Sequence, residues 1–181
     1  MAKRGIPGDV VELGCYRGAM ALWLRAQLDL LGLADRRVHV FDSFQGMSAP
    51  GRYDAASGLR EGEFACGVGE VVAAHRAWGL RPPVIHPGWF ADTLPSQLPS
   101  VVAFAHVDCV FYDPMLTSLT HCVPALAAGA SLVIGGYGTL DSAERVVSRP
   151  AGVRRACEDV LGVPPPVQLI AGSAACGVYR K

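Results

Sequence analysis

An acidic residue and two glycines follow the first apolar run of this chain, at Glu12, Gly14 and Gly18, and a stretch with helical periodicity begins at Ala19. Glycines let a turn adopt positive φ and let a ligand approach the backbone closely. A dinucleotide site prefers G-x-G-x-x-G, which places a pyrophosphate on the helix N-terminus, whereas the spacing here is E-x-G-x-x-x-G. The looser pattern indicates a nucleoside ligand without a phosphate at this turn. A purely structural turn is the alternative.

A second acidic residue, Asp42, follows the apolar run that ends at Phe41. A carboxylate at the end of a second strand can accept hydrogen bonds from both hydroxyls of a ribose. The alternative is that Asp42 caps the following turn through Ser43. Because a glycine-bearing turn precedes it, we favour ribose binding.

Further candidates follow the later apolar runs. Gly88 allows close approach of a ligand, and Trp89 can flank an adenine ring, although packing in the core is the alternative for an aromatic residue here. Asp108 is a polar break after an apolar run, so we expect it to project into a ligand cleft. The candidates for a general base are Asp108, Asp113 and His106, in that order. His106 lies inside the apolar run, where a core histidine is the alternative.

The elements that must position these residues form an alternating pattern. Short β-branched runs are separated by helical or glycine-rich stretches, which is typical of a parallel sheet buried on both faces. Predicted strands are Asp9–Leu13, Arg37–Phe41, Pro83–His86, Val101–Val107, Ser131–Ile134, Val167–Ile170 and Cys176–Arg180. Predicted helices are Ala19–Leu31, Gly69–Trp78, Pro114–Ala127 and Gly152–Leu161. Pro114 suits a first helical turn, and Gly129 suits a helix C-terminus.

The sequence therefore predicts an α/β, doubly wound and mostly parallel sheet. Ligands of such sheets bind at the carboxyl ends of the strands, where the candidate residues stand. The last two strands are separated by 171–174, which predicts an antiparallel hairpin at the C-terminus. The glycine-rich segment Ser43–Gly67 is predicted to be a long loop beside the ligand-binding edge.

Composition predicts one domain over residues 1–181, because 51% of the residues are hydrophobic and only 18% are charged. Sixteen basic and 16 acidic side chains balance, which argues against a nucleic-acid or membrane partner. The six cysteines form no C-x-x-C pair and no zinc spacing, so we interpret them as reduced residues of a cytoplasmic protein.

Several motifs, in order and spacing, resemble the TylF/MycF-type sugar O-methyltransferases, the macrocin O-methyltransferase family. The motifs are Gly8–Gly18, Phe41–Met47, Gly88–Pro95, Val107–Asp108 with Phe111–Tyr112, Gly136–Gly138 and Gly152–Ala156. The resemblance implies a class I, Rossmann-like methyltransferase that binds S-adenosylmethionine (SAM) and methylates a hydroxyl of a small-molecule acceptor, and it allows a homo-oligomer. The implied cofactor contacts are Glu12, Gly14, Cys15, Tyr16, Gly18, Asp42, Ser43, Gly88, Trp89 and Asp108.

In that family a divalent metal, usually Mg²⁺, holds the vicinal hydroxyls of the acceptor, and the resemblance implies Asp108 as its first ligand. The other acidic positions of the family are occupied here by Val110, Gly135 and Gly136. A lone carboxylate cannot replace enough of the water ligands of Mg²⁺. We therefore expect the metal site to be incomplete.

Three hypotheses follow. The first is a SAM-dependent O-methyltransferase acting on a sugar or another hydroxyl of a secondary metabolite. The second is a SAM-binding relic or partner subunit of a methyltransferase that has lost turnover. The third is a nicotinamide oxidoreductase. It needs a third glycine in the first turn and a parallel closing strand, and the sequence shows neither. The family also carries a helical N-terminal segment over its active site, which we expect to be missing here.

Overall fold

Strands and helices alternate along the chain, as the short β-branched runs predict. The computed structural model describes residues 5–54, 57–138, 151–173 and 175–181. The strands are β1 (Asp9–Leu13), β2 (Val38–Asp42), β3 (Val84–Pro87), β4 (Val102–Val107), β5 (Leu126–Ile134), β6 (Val167–Leu169) and β7 (Gly177–Arg180). The helices are α1 (Ala19–Leu30), α2 (Val68–Ala77), α3 (Phe90–Gln97), α4 (Tyr112–Ala125) and α5 (Ala151–Leu161).

Seven strands form one sheet in the order β3-β2-β1-β4-β5-β7-β6. Strands β1 to β5 are parallel to their neighbours, whereas β7 runs antiparallel to both β5 and β6. This confirms the predicted doubly wound sheet with an antiparallel C-terminal hairpin. The strand order reverses between β1 and β4, and open α/β sheets bind ligands at the carboxyl side of such a switch point.

Both faces of the sheet are covered, because successive side chains of a strand point to opposite faces. In β1, Val10 packs in one core with Ala21 of α1 and Val71 of α2. Its neighbour Val11 packs in the other core with Met115 of α4. The carboxyl ends of the central strands are therefore held by two packed layers of helices.

The described helices are short relative to a bilayer. The longest, α4, has 14 residues, and within the described part of the chain no helix is long and apolar enough to cross a membrane. The six cysteines are free thiols, and five of them are buried.

Both ends of one helix and the existence of another differ from the predictions. Gly129 does not end a helix, because α4 ends at Ala125 and Gly129 lies inside β5 with φ 76° at an irregularity in the pairing with β4. Helix α4 begins two residues earlier than predicted, at Tyr112, and the prediction that Pro114 lies in a first helical turn is confirmed. Helix α3 was not predicted, because it is short and contains Pro95.

Candidate functional site

A cavity of about 1120 Å³ lies at the carboxyl edge of the sheet. Most of the residues that the sequence singled out line it: Glu12, Gly14, Cys15, Tyr16, Asp42, Ser43, Trp89, His106, Asp108 and Asp113. Gly18 and Gly88 are not among its described lining residues. A Cβ at Gly88 would lie 3.0 Å from Cγ2 of Thr93, so this glycine makes room for α3.

The turn after β1 has the predicted backbone conformation, with φ 82° at Gly14 and 77° at Gly18. A Cβ at Gly14 would lie 2.9 Å from the carbonyl oxygen of Asp108, so this glycine lets the ends of β1 and β4 meet. A Cβ at Gly18 would lie 2.8 Å from Cγ1 of Val71. Gly18 is therefore explained by the packing of α1 against α2, which sequence spacing alone did not reveal.

Asp42 organises the turn of the site. Its Oδ2 accepts hydrogen bonds from the backbone N–H groups of Cys15 (2.8 Å) and Tyr16 (3.2 Å), and its Oδ1 accepts one from Phe44 (2.8 Å). The alternative that Asp42 caps the following turn is therefore partly correct, because the carboxylate accepts a hydrogen bond from the N–H of Phe44 rather than from Ser43. A carboxylate offers about four acceptor positions, so roughly one is left for a ribose hydroxyl.

Glu12 is a buried carboxylate on the wall of the cavity, with 1% of its surface exposed. Its Oε1 lies 3.6 Å from Nδ1 of His106, which is longer than a hydrogen bond. Within the described residues, Oε2 of Glu12 and Nδ1 of His106 have no hydrogen-bond partner. Burial raises the pKa of Glu12, and the nearby His106 imidazole opposes that rise. A buried carboxylate oxygen without a partner favours a cation in the adjoining space.

The two other candidate bases differ from His106 in exposure. Asp108 follows β4 and Asp113 lies in the first turn of α4, and both are exposed to the cavity. His106 is only 7% exposed, as expected for a core histidine, yet it contributes to the cavity wall. A catalytic role for these three residues stays a prediction.

The residues present do not fit a Mg²⁺ site. A Cβ at Gly135 would overlap Oδ1 of Asp108, so this carboxylate occupies the volume of a side chain at 135. Gly136 has φ 72°, and Val110 adds an apolar side chain to the cavity wall. Among the described residues, no group of three or more His, Cys, Asp or Glu side chains could hold a metal ion. Mg²⁺ requires several oxygen ligands in octahedral geometry.

A second buried carboxylate, Asp54, was not identified from the sequence. Its Oδ1 accepts a hydrogen bond from the N–H of Tyr112 at 3.0 Å, and its Oδ2 accepts one from Gly51 at 3.0 Å. Burial raises the pKa of Asp54, and these two hydrogen bonds lower it. A Cβ at Gly152 would overlap Oδ1 of Asp54. Asp54 therefore fixes the segment after β2 to the N-terminal ends of α4 and α5.

Four large side chains form what we call the apolar wall of the cavity, and they come from the turn after β1, from the first turns of α1 and from the segment before α2. They are Tyr16 (41% exposed), Met20 (40%), Trp23 (62%) and Phe64 (54%), and all four line the cavity. The rings of Tyr16 and Phe64 contact each other edge to face, with centroids 5.6 Å apart. Trp89, at the start of α3, is 39% exposed and lines the same cavity.

Known proteins resemble this chain over most of its length. Residues 1–163 match the sequence profile of the family described as Macrocin-O-methyltransferase (TylF). The 8-demethyl-8-(2,3-dimethoxy-alpha-L-rhamnosyl)-tetracenomycin-C 4'-O-methyltransferase of Streptomyces olivaceus is 35% identical over 141 residues, which cover 74% of this chain and 54% of that protein. The mycinamicin III 3''-O-methyltransferase of Micromonospora griseorubida is 32% identical over 145 residues, covering 75% and 57%.

Among solved structures, the O-methyltransferase NovP superposes with a TM-score of 0.83 at 26% identity, covering 99% of this chain and 74% of that chain. The chain spans about half the length of the curated relatives that it matches.

Proposed function

Because the chain belongs to the macrocin O-methyltransferase family, we propose that it binds SAM and transfers the methyl group to a hydroxyl of a small molecule. Its fold is the class I methyltransferase fold. The names of the relatives specify O-methylation of a rhamnosyl tetracenomycin and of mycinamicin III. The proposed acceptor is accordingly a sugar or another hydroxyl of a secondary metabolite, in a cytoplasmic setting.

The observation that carries the proposal is the buried Glu12 carboxylate beside a turn held by Asp42. SAM is a cationic nucleoside, so the carboxylate of Glu12, one oxygen of which has no partner among the described residues, suits its positive charge, and the remaining acceptor position of Asp42 suits a ribose hydroxyl. Trp89 offers an exposed aromatic face for the adenine ring. When bound, SAM supplies a methyl group whose bond to sulfur breaks, the electron pair staying on sulfur, as the bond to the acceptor oxygen forms.

The residues of the chain contribute mainly by positioning SAM and the acceptor, which can lower the activation barrier by several kcal/mol. The turn after β1 and Asp42 fix the nucleoside, and the walls of the cavity fix the acceptor. The acceptor proton must leave, and Asp108, Asp113 and His106 are the proposed bases in that order.

Titration calorimetry with SAM, S-adenosylhomocysteine and NAD⁺ tests the proposal. We expect one SAM and one S-adenosylhomocysteine to bind per chain, and no NAD⁺. Asp42→Ala should weaken SAM binding at least about tenfold, since each lost charge-assisted hydrogen bond is worth about 1.5–3 kcal/mol. The matched control is Asp35→Ala, because Asp35 is an exposed aspartate and is not among the described lining residues of the cavity. Absence of SAM binding would overturn the proposal.

A SAM-binding subunit without turnover is the second candidate. The observation that favours it is the replacement of acidic positions by Val110, Gly135 and Gly136. SAM binding without methyl transfer to sugar, alcohol or phenol acceptors, in Mg²⁺ as well as in EDTA, would select this second function.

A further inference from the structure

Helix α1 carries a continuous line of exposed side chains along one face. Met20, Trp23 and Leu30 are 40%, 62% and 80% exposed, and the exposed Gln27 lies between the last two. Residues at this spacing share one face of a helix, and we call these four the α1 stripe. The residues that attach α1 to the fold lie on its opposite face, and they are Ala21, Arg25 and Leu28.

The area of the α1 stripe is sufficient for a specific interface. Tyr16 and Leu31 extend it at its two ends and are 41% and 51% exposed. Because a large aromatic side chain carries about 150–250 Å² of surface, the five apolar side chains together expose roughly 500 Å². Contiguous exposed apolar patches of this size are frequently functional. Two such surfaces packed on each other bury roughly 1,000 Å², the lower limit of a specific interface.

The α1 stripe is complementary to itself when two copies pack antiparallel. Its centre falls between Trp23 and Gln27, so a two-fold axis at that point brings Met20 of one copy opposite Leu30 of the other. Trp23 then lies opposite Gln27, whose amide oxygen can accept a hydrogen bond from the indole N–H. This arrangement also places the N-terminal end of each α1 beside the C-terminal end of the other, which their dipoles favour.

We propose that this chain forms a homodimer in which the α1 stripes of two copies pack antiparallel. A two-fold interface uses the same surface of both chains and closes at two copies. Met20 and Trp23 also line the cavity, so the second copy borders it. Leu30 of the second copy lies opposite Met20 and extends the apolar wall. The proposal goes beyond the proposed function and does not depend on which ligand the cavity binds.

Sedimentation equilibrium of the 181-residue chain tests the proposal. Interfaces at the lower size limit are weak, so we expect twice the chain mass of 19.1 kDa at about 100 µM and dissociation towards the monomer at about 1 µM. Leu30→Lys should raise the dissociation constant of the dimer at least tenfold, because it buries a charge in the interface. Leu30 is largely exposed in one chain, so this variant should keep the Tm of the monomer.

The matched control is Leu169→Lys. Leu169 lies in β6 and is 57% exposed, so the substitution changes charge and size in the same way outside the α1 stripe. We expect its dimer dissociation constant to agree with that of the parent chain within twofold. Equal weakening of the dimer by both variants would show that the association is nonspecific and would overturn the proposal.

A double cysteine variant tests the antiparallel arrangement. Met20→Cys and Leu30→Cys in one chain place thiols about 15 Å apart along α1, too far for a disulfide within the chain. Mild oxidation of this dimer with diamide, followed by trypsin, should link fragment 18–25 of one copy to fragment 26–36 of the other. Oxidised parent chain is the control for the native thiols. Links only between identical fragments would contradict the antiparallel packing.

The result is separable from the proposed function. A parent chain that stays monomeric at about 100 µM would overturn the dimer and leave another occupant for the α1 stripe. Titration calorimetry with SAM on that monomer would still decide the proposed function. A dimer that does not bind SAM would support the interface and overturn the proposed function.

Discussion

Glu12 is a buried carboxylate whose burial costs the fold stability. Its carboxylate is 1% exposed, and within the described residues its Oε2 lacks a hydrogen-bond partner. Burial raises its pKa above the ordinary value of 4.5, so the folded chain disfavours the ionised form. The cost to stability is absent below pH 4.5 and fully present above the raised pKa, because the unfolded chain ionises first as the pH rises.

We therefore predict that Glu12→Gln stabilises the chain and weakens its binding of SAM. At pH 8 the free energy of unfolding should rise by about 1–3 kcal/mol, the cost of an unsatisfied buried polar group. The gain should shrink as the pH approaches 4.5, and the Kd for SAM should rise at least tenfold. Urea denaturation at pH 5 and pH 8 with calorimetry checks both effects. A variant that is less stable at pH 8 would contradict the argument.

At the same scale, the sequence was informative wherever a strand end supplied the signal. The place of Asp42 on the cavity wall could be predicted, because an acidic residue directly after a second strand is a local sequence pattern. In the structure its carboxylate accepts hydrogen bonds from three backbone N–H groups. Asp54 could not be predicted, since its partner Tyr112 lies 58 residues away. The reason for Gly18 was missed likewise, because Val71 comes from another helix.

At the scale of elements, the segment after β2 is held by contacts between elements rather than by its own sequence. Asp54 joins it to the first turn of α4, and the missing side chain of Gly152 lets α5 approach the same carboxylate. The rings of Tyr53 and Tyr112 add a second contact, with centroids 4.7 Å apart. The described part of the predicted glycine-rich loop around Tyr53 and Asp54 is thus fixed to α4 and α5.

Two glycine substitutions in helices should have opposite effects. Alanine in place of a helical glycine stabilises a helix by up to about 1 kcal/mol, and we expect that gain for Gly69→Ala, since no described atom lies within 4 Å of a Cβ there. Gly152→Ala should instead lower the free energy of unfolding by about 1–3 kcal/mol, because its Cβ overlaps Asp54 and lies 2.9 Å from the nitrogen of Tyr112. Urea denaturation measures both.

Limited trypsin digestion adds a readout for the segment. Arg52 and Arg60 are exposed on either side of Asp54, and cleavage there should accelerate in Gly152→Ala but not in Gly69→Ala. A stabilised Gly152→Ala variant, or equal cleavage in both, would show that Asp54 does not hold the segment.

At the scale of the whole molecule, one part of the cavity could be predicted from the sequence and the rest could not. The doubly wound order and the gathering of the strand-end residues at one cavity could be predicted, because parallel strands end at one edge and these residues carry local patterns. The rest of the cavity, around Asp108 and the apolar wall, depends on how side chains are placed in the folded chain. Only the structure places the Asp108 carboxylate in the volume above Gly135 and leaves the four side chains of the apolar wall exposed.

The effect of restoring metal-ligating carboxylates can be tested by measuring the Tm of the whole fold. The triple variant Val110→Asp, Gly135→Asp, Gly136→Asp places three carboxylates near Asp108. The aspartate at position 136 must keep a backbone φ of 72°, which strains the fold by about 1–3 kcal/mol. A side chain at 135 also displaces the Asp108 carboxylate. We expect this variant to have a lower Tm than the parent chain in EDTA, because of strain and like-charge repulsion.

Millimolar Mg²⁺ should then raise the Tm of the triple variant, because an ion that binds only the folded state stabilises it by mass action. The parent chain should melt at the same temperature in Mg²⁺ and in EDTA, since Asp108 alone supplies too few oxygen ligands. NaCl at the same ionic strength controls for nonspecific screening of the carboxylates. A parent chain that melts higher in Mg²⁺ than in EDTA or in NaCl would mean that donors beyond Asp108 complete a metal site.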